Sequence, residues 1–169
     1  MDLRPDWNYI IDISDQRRKN NRTPWHINET YLEVIGTAGE LAVRRFLGLP
    51  EGLHSHFDGG TDLYWKGSRV DIKSTRLTSN IQFRFLQWPI RKRLKADIVL
   101  MMAVSEEQQL AVPTGWVFAH EVAAAPVNRK RDFACHEISV RDLRPGWELF
   151  SLRTLSRKEQ RALRQFNPC

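Results

Sequence analysis

Cysteine is scarce in this chain of 169 residues, which carries only Cys135 and Cys169. Two distant cysteines without close partners make neither a disulfide framework nor a zinc motif. The chain also lacks an apolar run of about 18 residues, the length that a membrane-spanning helix needs, and its N-terminus has no apolar signal segment. We therefore expect a cytoplasmic protein with one ordinary core, whose stability does not depend on disulfides or on a membrane.

Acidic residues are fewer than basic ones, with 20 Asp and Glu against 26 Lys and Arg, for a formal net charge of +6. The positive charge is clustered, for example at Arg91-Lys92-Arg93 with Lys95 nearby. A basic excess favours polyanionic partners such as nucleic acids. Any single cluster, however, is more often a solvated face than a binding site.

A helix is predicted from about residue 28 onward. Its apolar face is marked by residues spaced three and four apart: Leu32, Ile35, Gly39, Ala42 and Phe46. Gly48 and Pro50 are typical of the residues that end a helix. Residues 1–27 are polar and are predicted to be an N-terminal arm or short helix, and residues 28–169 a single domain.

Strands are predicted in the middle of the chain, where β-branched and aromatic residues concentrate. They are expected at 62–65, 68–73, 81–85, 96–104, 109–112, 116–118 and 133–140. A short helix is expected at 119–125, and a capping-box sequence at 156–159 opens a last, basic helix at about 156–166. Together these elements predict an α/β fold of the mixed α+β kind.

The turn at Lys66-Gly67 predicts a hairpin with a defined register. In that register Asp62 lies directly opposite Asp71, with their Cβ atoms roughly 5 Å apart. Because side chains alternate along a strand, Lys73 shares the face of Asp71, whereas Val70 projects to the apolar face. Facing carboxylates repel each other, and a hard divalent cation with oxygen ligands would relieve that repulsion.

Each of these charged residues also has a structural interpretation. Asp62 could simply begin a strand, Asp71 could be a solvent-facing acid, and Lys73 its diagonal ion-pair partner. The flanking Gly59-Gly60-Thr61 and the apolar alternate face fit a cleft better than an open surface.

The ordered set of residues resembles the PD-(D/E)xK nuclease superfamily, which has the restriction-endonuclease-like fold. Its motif is an acid on an N-terminal helix, an Asp on the second strand and a D/E-x-K sequence on the third. The matching positions here are Glu40 in Gly36-Thr37-Ala38-Gly39-Glu40, then Asp62, then Asp71-Ile72-Lys73. The resemblance covers residues from about 30 to 120 and implies a central mixed β-sheet flanked by helices.

Two positions of the motif admit another interpretation. Thr61 stands where the superfamily has a proline, and Asp58 competes with Asp62 for the metal role. We prefer Asp62, because the hairpin register places it opposite Asp71, and Asp58 precedes two glycines in a turn-like sequence. Glu40 could instead be an ordinary boundary glutamate paired with Arg44 at i+4.

The resemblance implies a hydrolase that depends on Mg²⁺ or Mn²⁺ and cuts nucleic acid, with a DNA endonuclease as the expected activity. Asp62, Asp71 and the Ile72 backbone carbonyl would hold the metal, and Glu40 would tune the metal or its water. Lys73 would orient the attacking water or neutralise charge in the transition state. Cutting both strands at one place would favour a homodimer.

Further contacts to the nucleic-acid backbone are predicted after the motif. The candidates are Ser74, Thr75, Arg91, Lys92, Arg93 and Lys95. Gln82 or Gln87 could also reach the cleft, while Asp97, before an apolar run, is expected to be structural.

Three other functions fit parts of the pattern. One is a non-catalytic nucleic-acid-binding module that retains the nuclease fold. Another is a histidine-based metal site at His54-Ser55-His56 with Asp58, although this stretch lacks a helical His-x-x-x-His spacing. The third is an interaction protein that uses its six tryptophans, of which Trp88 and Trp116 are more simply core residues.

Overall fold

The computed structural model describes residues 1–20, 29–53, 61–77, 85–90, 94–129 and 134–151. Within these ranges the fold is mixed α+β, as predicted, with a central mixed sheet and helices packed on its strands. The predicted strand residues 81–84, the basic segment 91–93 and the last helix at 156–166 lie outside the described residues. No helix within the described ranges is long and apolar enough to cross a membrane.

The helices and strands follow the predicted order. The helices are α1 (Trp7–Asn20), α2 (Glu29–Phe46) and α3 (Ala119–Ala124). The strands are β1 (Leu63–Trp65), β2 (Ser68–Arg76), β3 (Phe85–Pro89), β4 (Ile98–Ser105), β5 (Leu110–Phe118), β6 (Val127–Asn128) and β7 (Cys135–Ser139). The strands expected at 109–112 and 116–118 are one continuous strand, β5, and β6 was not predicted.

The strands form two sheets. One has the order β1-β2-β4-β5, and the other is an antiparallel sheet of order β3-β7-β6. In the first sheet β1 and β2 are antiparallel. The Asp97 amide bonds to the Arg69 carbonyl at the beginning of β2, and the Leu77 amide bonds to the Val104 carbonyl at its end. One bond thus joins the beginnings of the two strands and the other joins their ends, so β2 and β4 run parallel. The sheet is therefore mixed.

The chain divides into two compact units. Unit 1 comprises Met1–Gly59, Ile72–Ile81 and Met102–Pro113, and unit 2 comprises Gly60–Asp71, Gln82–Met101 and Thr114–Cys169. The boundaries fall inside β2, β4 and β5, so each of these strands contributes residues to both units.

In unit 1, the predicted N-terminal arm contains the 14-residue helix α1. The chain before it is tied down by hydrogen bonds: the Met1 ammonium donates to the Ala111 carbonyl at 2.7 Å, and the Leu3 amide donates to the Gln109 carbonyl at 2.8 Å. Ile10 and Ile13 of α1 are buried. Residues 1–20 are therefore an integral part of unit 1.

Helix α2 ends where the sequence predicts. Gly48 has a φ of +65°, its amide donates to the Arg45 carbonyl, and the Leu49 amide donates to the Arg44 carbonyl at 2.8 Å. This pair of bonds is a Schellman motif, in which a glycine adopts the left-handed conformation that other residues avoid. Gly48 thus closes α2 after Phe46.

The buried face of α2 differs in part from the predicted one. Ile35, Gly39 and Ala42 are buried as expected, but Leu32 is exposed and Phe46 is half-buried. The remaining buried apolar residues of the helix are Ala38, Leu41 and Val43. The apolar stripe begins one turn later than the spacing predicts.

Unit 2 has its own hydrophobic cluster. It consists of Leu86, Trp88, Val99, Met101, Val117, Val122 and Leu143. Val122 places α3 against the strands of this unit. Trp88 and Trp116 are both buried, which confirms that they are core residues.

Candidate functional site

The hairpin β1–β2 forms in the predicted register. Leu63 pairs with Val70, Tyr64 with Arg69, and Trp65 with Ser68. The two turn residues, Lys66 and Gly67, have φ values of 46° and 84°. Positive φ at both central positions is the geometry of a type I′ turn, which suits the twist of a hairpin. The turn therefore determines which residues of β2 share a face.

The ladder ends one pair earlier than predicted. β1 begins at Leu63, and the Asp62 amide donates to the Val70 carbonyl at 3.0 Å. In a regular ladder of this register the Asp62 amide would point away from β2, so this bond marks a bulge-like departure. Asp62 and Asp71 therefore flank the last pair, Leu63–Val70, and the predicted direct pairing between them is not part of the ladder.

Asp71 is buried, with 3% of its surface exposed. Its neighbours Val70 and Ile72 are also buried, and β2 is an inner strand with β1 on one side and β4 on the other. The interpretation of Asp71 as a solvent-facing acid is thus wrong. A carboxylate removed from water loses solvation energy, so at this position it needs compensating interactions. Lys73, two residues along β2, is half-buried.

Helix α2 packs on the other face of β2. A Cβ atom built at Gly39 would lie 1.9 Å from the Ser74 Oγ atom and 3.0 Å from the Ser74 Cβ atom. Because side chains alternate, Ser74 lies on the face of β2 opposite to Lys73. The contact between Gly39 and Ser74 therefore directs Ser74 toward α2, and its predicted contact with phosphate stays a prediction.

Glu40 forms an ion pair with Arg17 of α1. The Arg17 Nη1 and Nη2 atoms donate to the two carboxylate oxygens of Glu40, each at 2.7 Å. Only 11% of the Arg17 side chain and 15% of the Glu40 side chain are exposed. The expected partner Arg44 instead donates to the Pro50 carbonyl. Both oxygens of the predicted helix acid are thus engaged by an arginine of the N-terminal arm.

Glu33 completes this group of charges between α1 and α2. Its Oε1 atom lies 3.8 Å from the Arg17 Nη1 atom. Burial raises the pKa of Glu33 above its usual value, an effect that Arg17 partly opposes and Glu40 reinforces. Arg17 therefore offsets part of the negative charge that two neighbouring glutamates place on α2.

Asp97 and Arg69 form a second ion pair, in unit 2. Asp97 is only 4% exposed, and it accepts hydrogen bonds from the Arg69 amide at 2.8 Å, from Nε at 3.1 Å and from Nη2 at 2.8 Å. The structural role expected for Asp97 is confirmed. Arg69 is a residue that the sequence interpretation missed, although its position opposite Tyr64 and two residues before Asp71 follows from the register.

The other predicted contact residues are only partly described. Arg91, Lys92, Arg93, Gln82 and Asp58 lie outside the described residues, as do His54 and His56. The structure describes three further candidates.

The backbone of Gln87 lies in β3 and pairs with Glu137. Lys95 is exposed and Thr75 is half-buried. The contacts of these residues with a nucleic-acid backbone stay predictions.

A divalent metal requires several oxygen, nitrogen or sulfur ligands close together. Within the described ranges, no three His, Cys, Asp or Glu side chains are grouped so that they could hold a metal ion. Magnesium, however, commonly takes one or two protein carboxylates and completes its shell with water and phosphate oxygens. Asp62 and Asp71, beside the last pair of one hairpin, are the two carboxylates with which a site of that kind would have to be built.

Comparison of the chain with models of known protein families, with characterised proteins and with solved structures finds no match.

Proposed function

We propose that this protein is a metal-dependent nuclease with a restriction-endonuclease-like core, in which the hairpin β1–β2 carries the chemistry. The observation that supports this most is the position of Asp71 and Lys73. A type I′ turn puts the hairpin in the predicted register, and β2 then presents a buried carboxylate and a lysine two residues apart. This is the arrangement that the D-x-K motif requires.

The hairpin residues have distinct roles in this proposal. Asp62, Asp71 and the Ile72 carbonyl would hold Mg²⁺ or Mn²⁺, which when bound would polarise a phosphoryl oxygen and acidify a water. Burial of Asp71 keeps its carboxylate out of bulk water. Its interactions with cations are stronger in this environment than they would be in water. The Lys73 ammonium would donate hydrogen bonds to the attacking water or to the phosphate oxygen that gains charge.

Glu40 would have a role in the chemistry only under certain conditions. Both of its oxygens accept hydrogen bonds from Arg17, and α2 packs on the face of β2 opposite to Lys73. A contact with a metal or its water would therefore require both the opening of that ion pair and a route from one face of the strand to the other. An ion pair that is mostly removed from solvent is costly to break. The hairpin residues therefore have the main part of the chemistry, and Glu40 has a conditional one.

The proposed substrate is nucleic acid, with DNA as the first choice. The net charge of +6 favours a polyanion, and the exposed Lys95 is a described candidate for a phosphate contact. Phosphate contacts of this kind position a substrate without reading its sequence. Cutting of both strands would require two sites, which a homodimer supplies.

A panel of substrates tests the proposal. Plasmid, linear duplex, branched DNA, single-stranded DNA and RNA are incubated with the purified protein in Mg²⁺, in Mn²⁺ and in EDTA. We expect metal-dependent cutting of at least one substrate and its loss in Asp71→Ala and Lys73→Ala. Cutting that these variants retain would contradict the assignment. Nucleic-acid binding without any cutting or metal binding would favour the non-catalytic module instead.

A further inference from the structure

Tyr64 is an aromatic residue that the proposed chemistry does not use. It is 65% exposed and lies on β1, the strand at the end of the four-stranded sheet. By contrast, Leu63 beside it and Ser68 and Val70 of β2 are buried. A large aromatic ring that remains in water on a paired strand contributes little to the core, and aromatic side chains are enriched at binding sites.

The hairpin register places this ring on the face that carries the proposed chemistry. Tyr64 pairs directly with Arg69, and Arg69 and Asp71 lie on the same face of β2 because they are two residues apart. Cross-strand neighbours have Cβ atoms about 5 Å apart, and diagonal ones about 7–8 Å. The Tyr64 ring is therefore within the span of one nucleotide from Asp71.

One cation, Arg69, accompanies the Tyr64 ring. The Arg69 guanidinium is fixed by its hydrogen bonds to Asp97, and its pKa is raised chiefly by Asp97, with a smaller contribution from Tyr64. Lys66, in the turn next to β1, has its Nζ atom 5.4 Å from the centroid of the Trp65 ring, and Trp65 projects to the face opposite to Tyr64. An exposed ring beside basic side chains is the combination with which proteins hold single-stranded nucleic acid, by stacking on bases and attracting phosphates.

We propose that Tyr64 stacks on an unpaired base of a single-stranded nucleic acid, next to the phosphate that the hairpin would cleave. The stacked base belongs to a single-stranded segment, because in an intact duplex both faces of every base are already covered. Arg69, held by Asp97 opposite Tyr64, is the basic side chain nearest to the ring, and the net charge of +6 attracts the adjoining phosphates. This proposal rests on the proposed function for the location of the reacting phosphate, whereas the stacking contact can be measured without cleavage.

The test measures binding in EDTA, where a metal-dependent nuclease does not cut. The full chain is titrated into a fluorescein-labelled single-stranded oligonucleotide and into a duplex of the same length, and anisotropy is recorded. We expect Tyr64→Ala to weaken single-strand binding roughly tenfold, and Tyr64→Phe to bind within about twofold of wild type because it keeps the ring. Val112→Ala, which alters an exposed apolar residue of β5, is the matched control.

A second readout separates stacking from a general loss of affinity. A 2-aminopurine base in the oligonucleotide loses fluorescence when a ring stacks on it, so wild type and Tyr64→Phe should quench it and Tyr64→Ala should not. Equal single-strand affinity and equal quenching by wild type and Tyr64→Ala would overturn the proposal. An equal loss of affinity for the duplex would also overturn it, since that result indicates a contact with the backbone.

The two proposals fail in different ways. If Asp71→Ala abolishes cutting and Tyr64→Ala changes neither binding nor quenching, the nuclease stands and the stacking contact is wrong. If Tyr64→Ala weakens single-strand binding and no substrate is cut in any metal, the stacking contact stands and the nuclease is wrong. Absence of binding to every nucleic acid would overturn both.

Discussion

The two faces of β2 differ in what their residues contact. On one face, Ser74 packs against Gly39 of helix α2, so closely that a methyl group at Gly39 would overlap the Ser74 hydroxyl. The other face carries Arg69, Asp71 and Lys73, with the exposed ring of Tyr64 opposite Arg69 on β1. One face is thus devoted to packing, and the other carries charged side chains, of which Asp71 is buried, and an exposed aromatic ring.

Glu40 and Asp71, two acids of the predicted site, differ in the same way. Glu40 belongs to the helix that covers the packed face, and its charge is balanced by Arg17 of α1. Asp71 lies on the charged face of β2 and is buried. Glu40 and Asp71 therefore have different surroundings, although both match the same sequence motif. The residues that contact each acid depend on the helix or strand that packs against it.

The largest expected effect is on catalysis, at the charged face. Lys73→Ala should lower the rate of metal-dependent cleavage roughly 10²–10³-fold, because it removes a group that stabilises charge in the transition state. Initial rates on the best substrate of the panel measure this. Lys19→Ala, which removes an exposed lysine of α1, should cut at the wild-type rate, and a Lys73→Ala variant that did so as well would count against the D-x-K assignment.

The next effect is on stability, between α1 and α2. Arg17→Ala should reduce the free energy of unfolding by about 2–4 kcal/mol, because it leaves the largely buried Glu40 without its partner. Urea denaturation measures the change. The double variant Arg17→Ala/Glu40→Ala should recover part of the loss, as expected when both members of an ion pair are removed.

Glu40→Gln sharpens the comparison between the two acids. If Glu40 is mainly an ion-pair partner, this variant should lose stability and keep most of its cleavage rate per folded molecule. Retained stability with lost cleavage would show instead that the ion pair opens and that the helix acid takes part in the chemistry.

A smaller loss of stability is expected where α2 meets the packed face of β2. Gly39→Ala should cost about 1–3 kcal/mol, since the new methyl group overlaps the Ser74 hydroxyl and something must move. Ser74→Ala in the same chain should relieve part of this cost, because it removes the oxygen only 1.9 Å away but leaves the Cβ atom at 3.0 Å. Additive unfolding free energies for the two substitutions would contradict the contact.

The smallest effect concerns pH. The pKa of Glu33 is raised in the folded state by burial, so folding favours its protonated form. The corresponding stability is present below the ordinary value of 4.5 and is lost as the pH rises through the folded-state pKa. Unfolding free energies measured across this range should fall less steeply in Glu33→Gln. Identical slopes in the two proteins would contradict the burial of this carboxyl.

Local patterns predicted the hairpin and the end of α2 well, for physical reasons. The turn chemistry of Lys66-Gly67 fixes a register over the next few residues, and Gly48 closes the helix through bonds to its own last turn. Both features depend on residues close in sequence. The departure at Asp62 was not predictable in the same way, because the end of a short ladder depends on the chain that leads into it.

Partners distant in sequence could not be predicted. Arg17 contacts a glutamate 23 residues away, and Arg69 contacts an aspartate 28 residues away. No spacing rule relates such positions, because helix packing and the parallel pairing of β2 with β4 bring them together. The sequence predicted the charged residues and their faces, whereas which charges neutralise each other required the fold.

The most direct test of the central claim is the cleavage rate of Asp71→Asn, measured in Mg²⁺ on the substrate that wild type cuts fastest, with equal folded protein verified by circular dichroism. The substitution keeps the size of the side chain and removes its negative charge. We predict that metal-dependent cleavage falls at least about 10²-fold, while Asp12→Asn, an exposed aspartate of α1, leaves it unchanged. A folded Asp71→Asn protein that cuts at the wild-type rate would contradict the account.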